Sequence, residues 1–391
     1  MLAVIPYRMR LHDLLAAARA SRPAYLETLQ GLVEIESPTP DRVAVTRCLA
    51  WLEGRLQADD WTVARVPTQH TADVLLARAD GARDGPSTLL LTHADTVWPV
   101  GTLAERPWRV HDECAFGPGV YDMKGGIAAA LHAVALARVH GGLAGAVTLL
   151  VNGDEETGSV GSRGVIEREA ARHDRVFVLE PASAGGAITV ARKGAGDFRV
   201  RFRGRSAHSG EAFDAGVNAV SELARFVPFV DALSDREAGT TVAVTVVRGG
   251  TVSNVIPAEA VATVDLRLER PDEAERVVTA LHAYVPHDRR VSVEVEGAVK
   301  RPPMVLDAAA AALVEQVLER ARGLGLTVAT GRSGGGSDAN FCAALGVPTV
   351  DGLGPVGGGA HAVDEHIDVA ASLDRVALLA ALLGEASDTA R

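Results

Sequence analysis

The sequence predicts an α/β protein: a mostly parallel sheet with helices on both faces, interrupted by a smaller inserted α+β layer. Three observations predict it. Short, almost fully apolar runs at 89–92, 146–151 and 175–179 alternate with stretches of helical spacing, as strands buried on both faces do. At 197–203 the texture changes to strict alternation. Phe198, Val200 and Phe202 share one face and Arg199, Arg201 and Arg203 the other, which marks a half-exposed antiparallel strand. From 307 the first texture resumes, so the larger domain is discontinuous, 1–193 plus 304–391, around an insert of 194–303.

Each element has its own signal. Residues 11–35 carry helical spacing broken near Ser21-Arg22-Pro23, which predicts two helices. Ser37-Pro38-Thr39-Pro40-Asp41 is a turn that caps a helix over 43–56. Short strands follow at 61–66 and 73–77, then the central strand at 89–92. The stretch after Val97 has no periodicity and reads as a loop closing at Gly117. Met123-Lys124-Gly125-Gly126 opens an Ala-rich helix to 140, whose small residues permit close packing on a sheet. A strand at 146–151, a helix at 162–171 and a strand at 175–179 complete a β-α-β-α-β order. In the insert, a strand at 197–203, a helix at 217–232, strands at 241–247 and 260–268, a helix at 272–284 and a strand at 291–296 give β-α-β-β-α-β, a ferredoxin-like order. Arg301-Pro302-Pro303 reads as the return linker. Helices at 308–322 and 371–383, a short helix opened by Gly334-Gly335-Gly336-Ser337-Asp338, a strand at 347–350 and a flexible loop at Gly357-Gly358-Gly359 finish the chain.

At 391 residues the chain exceeds one typical core. Its 47% apolar and 23% charged residues are ordinary for a soluble protein, and a net charge of −11 argues against a nucleic-acid surface. Three cysteines, Cys48, Cys114 and Cys342, cannot build a disulfide framework and read as buried or half-buried thiols. The apolar start Met1-Leu2-Ala3-Val4-Ile5-Pro6 is short, and Arg8 and Arg10 follow it, whereas a signal peptide carries its charges first. No run is long enough to span a bilayer. The expectation is a cytoplasmic enzyme with neither a nucleic-acid nor a membrane partner.

Polar residues collect at the C-terminal ends of the apolar strands. His93 and Asp95 follow one, Glu155 and Glu156 a second, and Glu180 a third; in an open α/β sheet those ends meet where ligands sit. Asp122 stands at a helix start, and His361 in a Gly-rich loop after another strand. Several carboxylates meeting without a cation repel strongly. Two divalent ions neutralise such a cluster: one carboxylate bridges them, two histidines and two further carboxylates complete three protein ligands each, and a water or hydroxide is shared. An adjacent free carboxylate then takes the proton. Glu155-Glu156 supplies both kinds of carboxylate, since neighbours in an extended segment point opposite ways. Taken singly, each feature has a plainer reading: a lone His-x-Asp is more often structural, Glu-Glu a solvated turn and a Gly run a loop. Their conjunction in one order outweighs those readings.

His93-x-Asp95-Thr-Val, Gly-x-x-Asp122-x-Lys-Gly-Gly, Asp154-Glu155-Glu156-x-Gly-Ser, Glu180-Pro181, Gly204-Arg-Ser-Ala-His208-Ser-Gly, Asn254-Val-Ile-Pro, Gly334-Gly-Gly-Ser-Asp338 and the late His361 resemble, in order and over nearly the whole chain, the M20 family of dinuclear zinc peptidases. Within it, Leu103-Ala104, Pro107-Trp108-Arg109-Val110 and Glu180-Pro181-Ala182-Ser183-Ala184-Gly185 are most similar to the glutamate carboxypeptidase branch. The resemblance implies two Zn²⁺ per chain, with Mn²⁺ or Co²⁺ as alternatives. His93, Asp122 and Glu180 would hold one, and Asp122, Glu156 and His361 the other. Glu155 would be general base and later proton donor, and Asp95 would fix the His93 ring. The insert would make a homodimer and carry His208 to the partner's site as an oxyanion donor. Asn254, Arg267 and the Gly335 and Gly336 backbone would contact substrate. The implied reaction releases a C-terminal amino acid, glutamate first, from a small peptide or N-acyl amide by way of a metal-bridging hydroxide. The alternatives are an N-acyl-amino-acid deacylase or dipeptidase, and a non-catalytic member that binds an amino-acid ligand.

Overall fold

A computed structural model describes residues 11–384 of the chain. The N-terminal apolar stretch weighed above as a leader lies outside the described residues. The described chain divides into two compact units. The larger ends its first pass at Ala191, resumes over Leu306–Ser333 and continues from Ser337; the smaller comprises Arg192–Val305 with Gly334–Gly336.

The larger unit is built on a six-stranded sheet in the order Thr62–Val66, Val74–Ala79, Val147–Asn152, Thr88–His93, Arg175–Val178, Thr349–Val350. The last four strands run parallel, and the two at the opposite edge pair antiparallel. Thr88–His93 and Val147–Asn152 are buried at every position, which explains their unbroken apolar runs. The helix Gly125–Val139 lies in the same core, and so does the final helix Val369–Leu383. A Cβ on Gly126 would meet the Leu179 carbonyl oxygen at 2.2 Å, so the helix start approaches the strand end as only glycine allows. Asp41 caps its helix as expected, its Oδ1 accepting from Val43 N and Ala44 N at 3.0 Å.

The smaller unit has a four-stranded antiparallel sheet in the order Thr241–Gly249, Glu259–Leu268, Gly194–Arg203, Ser292–Arg301, with helices Ala219–Asp231 and Pro271–His282. This is the ferredoxin-like arrangement. Phe198, Val200 and Phe202 are buried and Arg199 and Arg203 exposed, as the alternation requires. Phe202, Phe226 and Tyr284 meet edge-on at 4.9–6.4 Å between ring centroids. Burying each such ring contributes on the order of 1.5–3 kcal/mol.

Four expectations need correction. The aperiodic loop after Val97 contains strands Arg109–His111 and Cys114–Phe116, and the loop around Gly357 contains Gly357–Gly358. With His366–Asp368 they form a small antiparallel sheet. Strands of two or three residues have no period to read; they exist because distant segments meet. Thr330–Ser333 and Ile188–Arg192 likewise pair as a two-stranded sheet. Ser292–Arg301 runs on through Arg301, read above as linker, and Arg301 is buried. Glu155–Thr157 is a 3₁₀ turn and not extended, so Glu155 and Glu156 diverge by roughly a third of a turn instead of a half.

Candidate metal centre

The sheet register sets the site. His93 stands opposite Asn152 and Leu91 opposite Val178, so His93, the turn after Asn152 and Glu180 leave the sheet at one level. The Asp122 segment, Val120–Lys124, is a kinked turn ahead of the helix; Asp122 itself has non-helical φ −114° and ψ 96° and precedes a cis peptide to Met123. His361 sits in the left-handed region at φ 60°, a conformation a non-glycine residue rarely holds without a local constraint.

These segments bring five side chains together. His93 Nε2 lies 3.2 Å from Asp122 Oδ1 and 3.8 Å from Glu180 Oε1. His361 Nε2 lies 3.4 Å from Asp122 Oδ2 and 3.2 Å from Glu156 Oε2. The donors fall into two triads, His93–Asp122–Glu180 and Asp122–Glu156–His361, each with its ligand atoms within 4.8 Å of one another. In the first, His93 and Glu180 are buried and Asp122 is half-buried; in the second, the His361 side chain is 52% exposed.

A second set of groups aims the first. His93 Nδ1–H donates to the Asp95 backbone carbonyl at 3.0 Å, which turns Nε2 toward the cluster. The fully buried Asp95 carboxylate accepts from Thr39 Oγ1 at 2.7 Å, Glu155 N at 3.3 Å and Glu156 N at 3.2 Å, so it pins the turn that carries both glutamates. Behind that turn, Asp154 Oδ2 accepts from Gly161 N and Ser162 N. Asn152 Nδ2 donates to Asp338 at 2.6 Å, and Ser159 Oγ donates to the other Asp338 oxygen.

The electrostatics are those of a crowded acidic pocket. Burial, with the Asp122 charge behind it, pushes Glu180 well above the usual carboxylate range; the Glu155 charge adds to it. Burial raises Glu156 to about 7. Burial alone would raise Asp122 too, but hydrogen bonds from His361 and His93 hold it well below its ordinary value. Burial pulls His93 down, yet Asp122 and Asp95 outweigh it and raise it well above the usual imidazole value. Asp122 is the first cause that raises His361 to about 9. Such a set can be relieved by protons or by cations. Glu156 Oε1 is buried with no hydrogen-bond partner, an acceptor that a cation would satisfy. Two imidazoles and three carboxylates also suit a zinc-class ion. The residues present fit such a group.

The other expected site residues belong to the smaller unit. His208 is exposed, and its Nδ1 accepts from Gly210 N at 3.2 Å and Glu211 N at 3.1 Å, which leaves the ring proton on Nε2. Asn254, also exposed, has its carbonyl bonded by Ser209 N at 3.0 Å. Arg267 forms a double hydrogen bond with Asp265 at 3.0 and 3.1 Å. Gly335 and Gly336 fall in the same unit. Sequence reasoning missed Glu365, which is buried and accepts four N–H groups around the Asp122 turn. It also missed Lys124, buried inside the Met-Lys-Gly-Gly motif with Nζ donating to the Ile35 carbonyl at 2.8 Å. An isolated acid four residues after His361 offered no sequence signal beyond that spacing.

No helix among the described residues is long and apolar enough to cross a membrane. A profile described as Peptidase family M20/M25/M40 matches residues 89–385. Carboxypeptidase G2 of Pseudomonas sp. (strain RS-16) is 33% identical over 378 residues, 95% of this chain and 91% of that protein. A succinyl-diaminopimelate desuccinylase of Rhodospirillum centenum is 31% identical, covering 92% of this chain and 97% of its own length. Among solved structures, aminopeptidase PepT of Bacillus cereus superposes with a TM-score of 0.79 at 23% identity, over 93% of this chain and 98% of that one, which shows a shared fold. The family match spans most of the sequence and the donor cluster sits inside it: this chain belongs to peptidase family M20/M25/M40 and is a hydrolase of the metallopeptidase type.

Proposed function

We propose that the chain is a two-zinc exopeptidase or amidohydrolase that releases a C-terminal amino acid, with glutamate as the first candidate. The observation that carries the reading is Asp122, a single carboxylate whose two oxygens face different histidines, Oδ1 toward His93 and Oδ2 toward His361. That is how one side chain serves two ions. His93, Asp122 and Glu180 would hold one, and Asp122, Glu156 and His361 the other.

When bound, the ions supply Lewis acidity toward a carbonyl oxygen and acidify a water. The chain's residues do the rest. Glu155 is half-buried beside the cluster and outside both triads. It takes the proton from the attacking water and returns it to the leaving nitrogen. Asp95 keeps the His93 ring and the Glu155 turn in place. From the insert, His208 presents Nε2–H to the developing oxyanion across a homodimer, and Asn254, Arg267 and the backbone of Gly335 and Gly336 orient the substrate. The carboxypeptidase G2 likeness supports release of a C-terminal residue. The desuccinylase likeness favours the second reading, an N-acyl-amino-acid deacylase. The three free thiols accord with a reducing, cytoplasmic setting.

Elemental analysis of the purified protein is expected to find about two zinc-class ions per chain. Glu155→Gln is expected to lower kcat by about 10²–10⁴-fold with metal content unchanged; retained turnover removes Glu155 as the base. A panel of folylglutamates, N-acetyl amino acids and dipeptides separates the two substrate readings.

A further inference from the structure

Glu365 lies four residues beyond His361 and is 2% exposed. Both of its oxygens are occupied. Oε2 accepts from Trp98 Nε1 at 2.7 Å and Gly119 N at 2.9 Å, and Oε1 accepts from Tyr121 N at 3.0 Å and Asp122 N at 3.1 Å. Three of the donors are amides of the turn that ends in Asp122. A turn whose amides converge on one point is an anion nest, and here the anion is a side chain of the protein itself. Bonds from N–H to an ionised carboxylate are shorter and about twice as strong as neutral ones. They therefore fix the orientation of the peptide from which the Asp122 side chain projects.

The other end of Glu365 is anchored in the His361 loop. Ala362 N bonds Gly359 O at 2.8 Å and Glu365 N bonds Ala362 O at 3.2 Å, so the segment from Gly359 to Glu365 is closed on itself. Arg106 reinforces the link: its guanidinium stacks on the Trp98 ring at 3.7 Å and its Nη1 donates to the Ala362 carbonyl at 3.4 Å. One carboxylate thus clips the loop bearing His361 to the turn bearing Asp122. We propose that Glu365 is a positioning residue of the metal centre, which holds the Asp122 turn against the His361 loop so that Asp122 presents one oxygen to each histidine. It acts through those two residues and touches no substrate. The inference rests on reading the five donors as metal ligands.

The test titrates metal-free full-length protein with Co²⁺ and then Zn²⁺ against a chelator, for wild type, Glu365→Gln and Trp98→Phe, with circular dichroism to check folding. Glu365→Gln keeps the size of the side chain but sets an NH₂ among N–H donors. It is expected to weaken metal affinity about 10–100-fold, the usual loss when a group behind a ligand is removed. It is also expected to change the Co²⁺ absorption bands and lower kcat more than it raises KM. Trp98→Phe deletes one donor of four and is expected to give a smaller loss in the same direction. A Glu365→Gln protein that is less heat-stable but binds both ions with wild-type affinity and spectrum overturns the proposal. If that variant does not fold, unchanged affinity in Trp98→Phe overturns it. A wild-type protein that takes up no metal sinks the metal reading itself, and the positioning role with it.

Discussion

In the smaller unit, charged side chains pair with close neighbours at the surface: Arg270 with Asp272, Arg290 with Asp288, Lys300 with Asp197. In the larger unit, His93, Asp95, Asp154, Glu180, Asp338, Asp351 and Glu365 are all buried, and the carboxylates outnumber the cations around them. The same residue types face opposite situations. A solvated pair contributes about 0–1 kcal/mol, whereas a buried carboxylate is costly unless hydrogen bonds or cations offset the loss of water. The larger unit meets that cost with directed N–H donors to Asp95, Asp154 and Glu365, and leaves Glu156 Oε1 without one. These surface pairs of the smaller unit keep their water, whereas the buried carboxylates of the larger unit converge on the donor cluster.

The contrast can be broken at several levels. Asp122→Asn has the largest expected effect. An amide cannot offer two oxygens, so both ions are lost and turnover falls to background, read by elemental analysis and assay; retention of both ions would end the bridging scheme. Gly126→Ala comes next. Its new Cβ has only 2.2 Å to the Leu179 carbonyl, one residue before Glu180. Urea unfolding is expected to show a loss of about 1–3 kcal/mol, and metal affinity falls with it. A smaller effect concerns His132, a half-buried neutral imidazole of the larger unit. The Thr28 hydroxyl donates to Ala24 O at 3.0 Å, so His132 Nε2–H donates to that hydroxyl at 3.1 Å. Burial lowers His132 from 6.5 to about 4. The unfolded chain then binds the extra proton first, so its contribution is complete above pH 6.5 and is lost as pH falls toward 4. His132→Gln is expected to flatten that acid limb in urea midpoints measured across the range; an unchanged limb assigns it to other groups. Smallest is Asp197→Asn in the insert, where the Lys300 pair is exposed. Stability is expected to move by no more than about 1 kcal/mol, and a larger loss would blur the distinction between the units.

Much of this was legible in the chain. Thr88–His93 and Val147–Asn152 announced themselves because strands buried on both faces are apolar throughout, and a polar residue ending such a run has little purpose but a ligand. The alternation at 198–203 gave the insert its sheet. What stayed hidden depends on contacts distant in sequence. The Gly357–Gly358 and His366–Asp368 strands have no pattern of their own. The 3₁₀ turn at Glu155 follows from the grip of Asp95 on two amides. Glu365 is one acid among many until the backbone folds its amides around it.

The order of the donors along the chain has a consequence for biosynthesis. His93, Asp122, Glu156 and Glu180 emerge from the ribosome before the insert is made, but His361 and the carboxylate of Glu365 come only after it and after the edge strand Thr349–Val350. From Glu180 until His361 is added, a nascent chain therefore holds the donors of one complete triad and not of the other. A chain cut short anywhere before His361 leaves the ribosome without the means to complete the second triad.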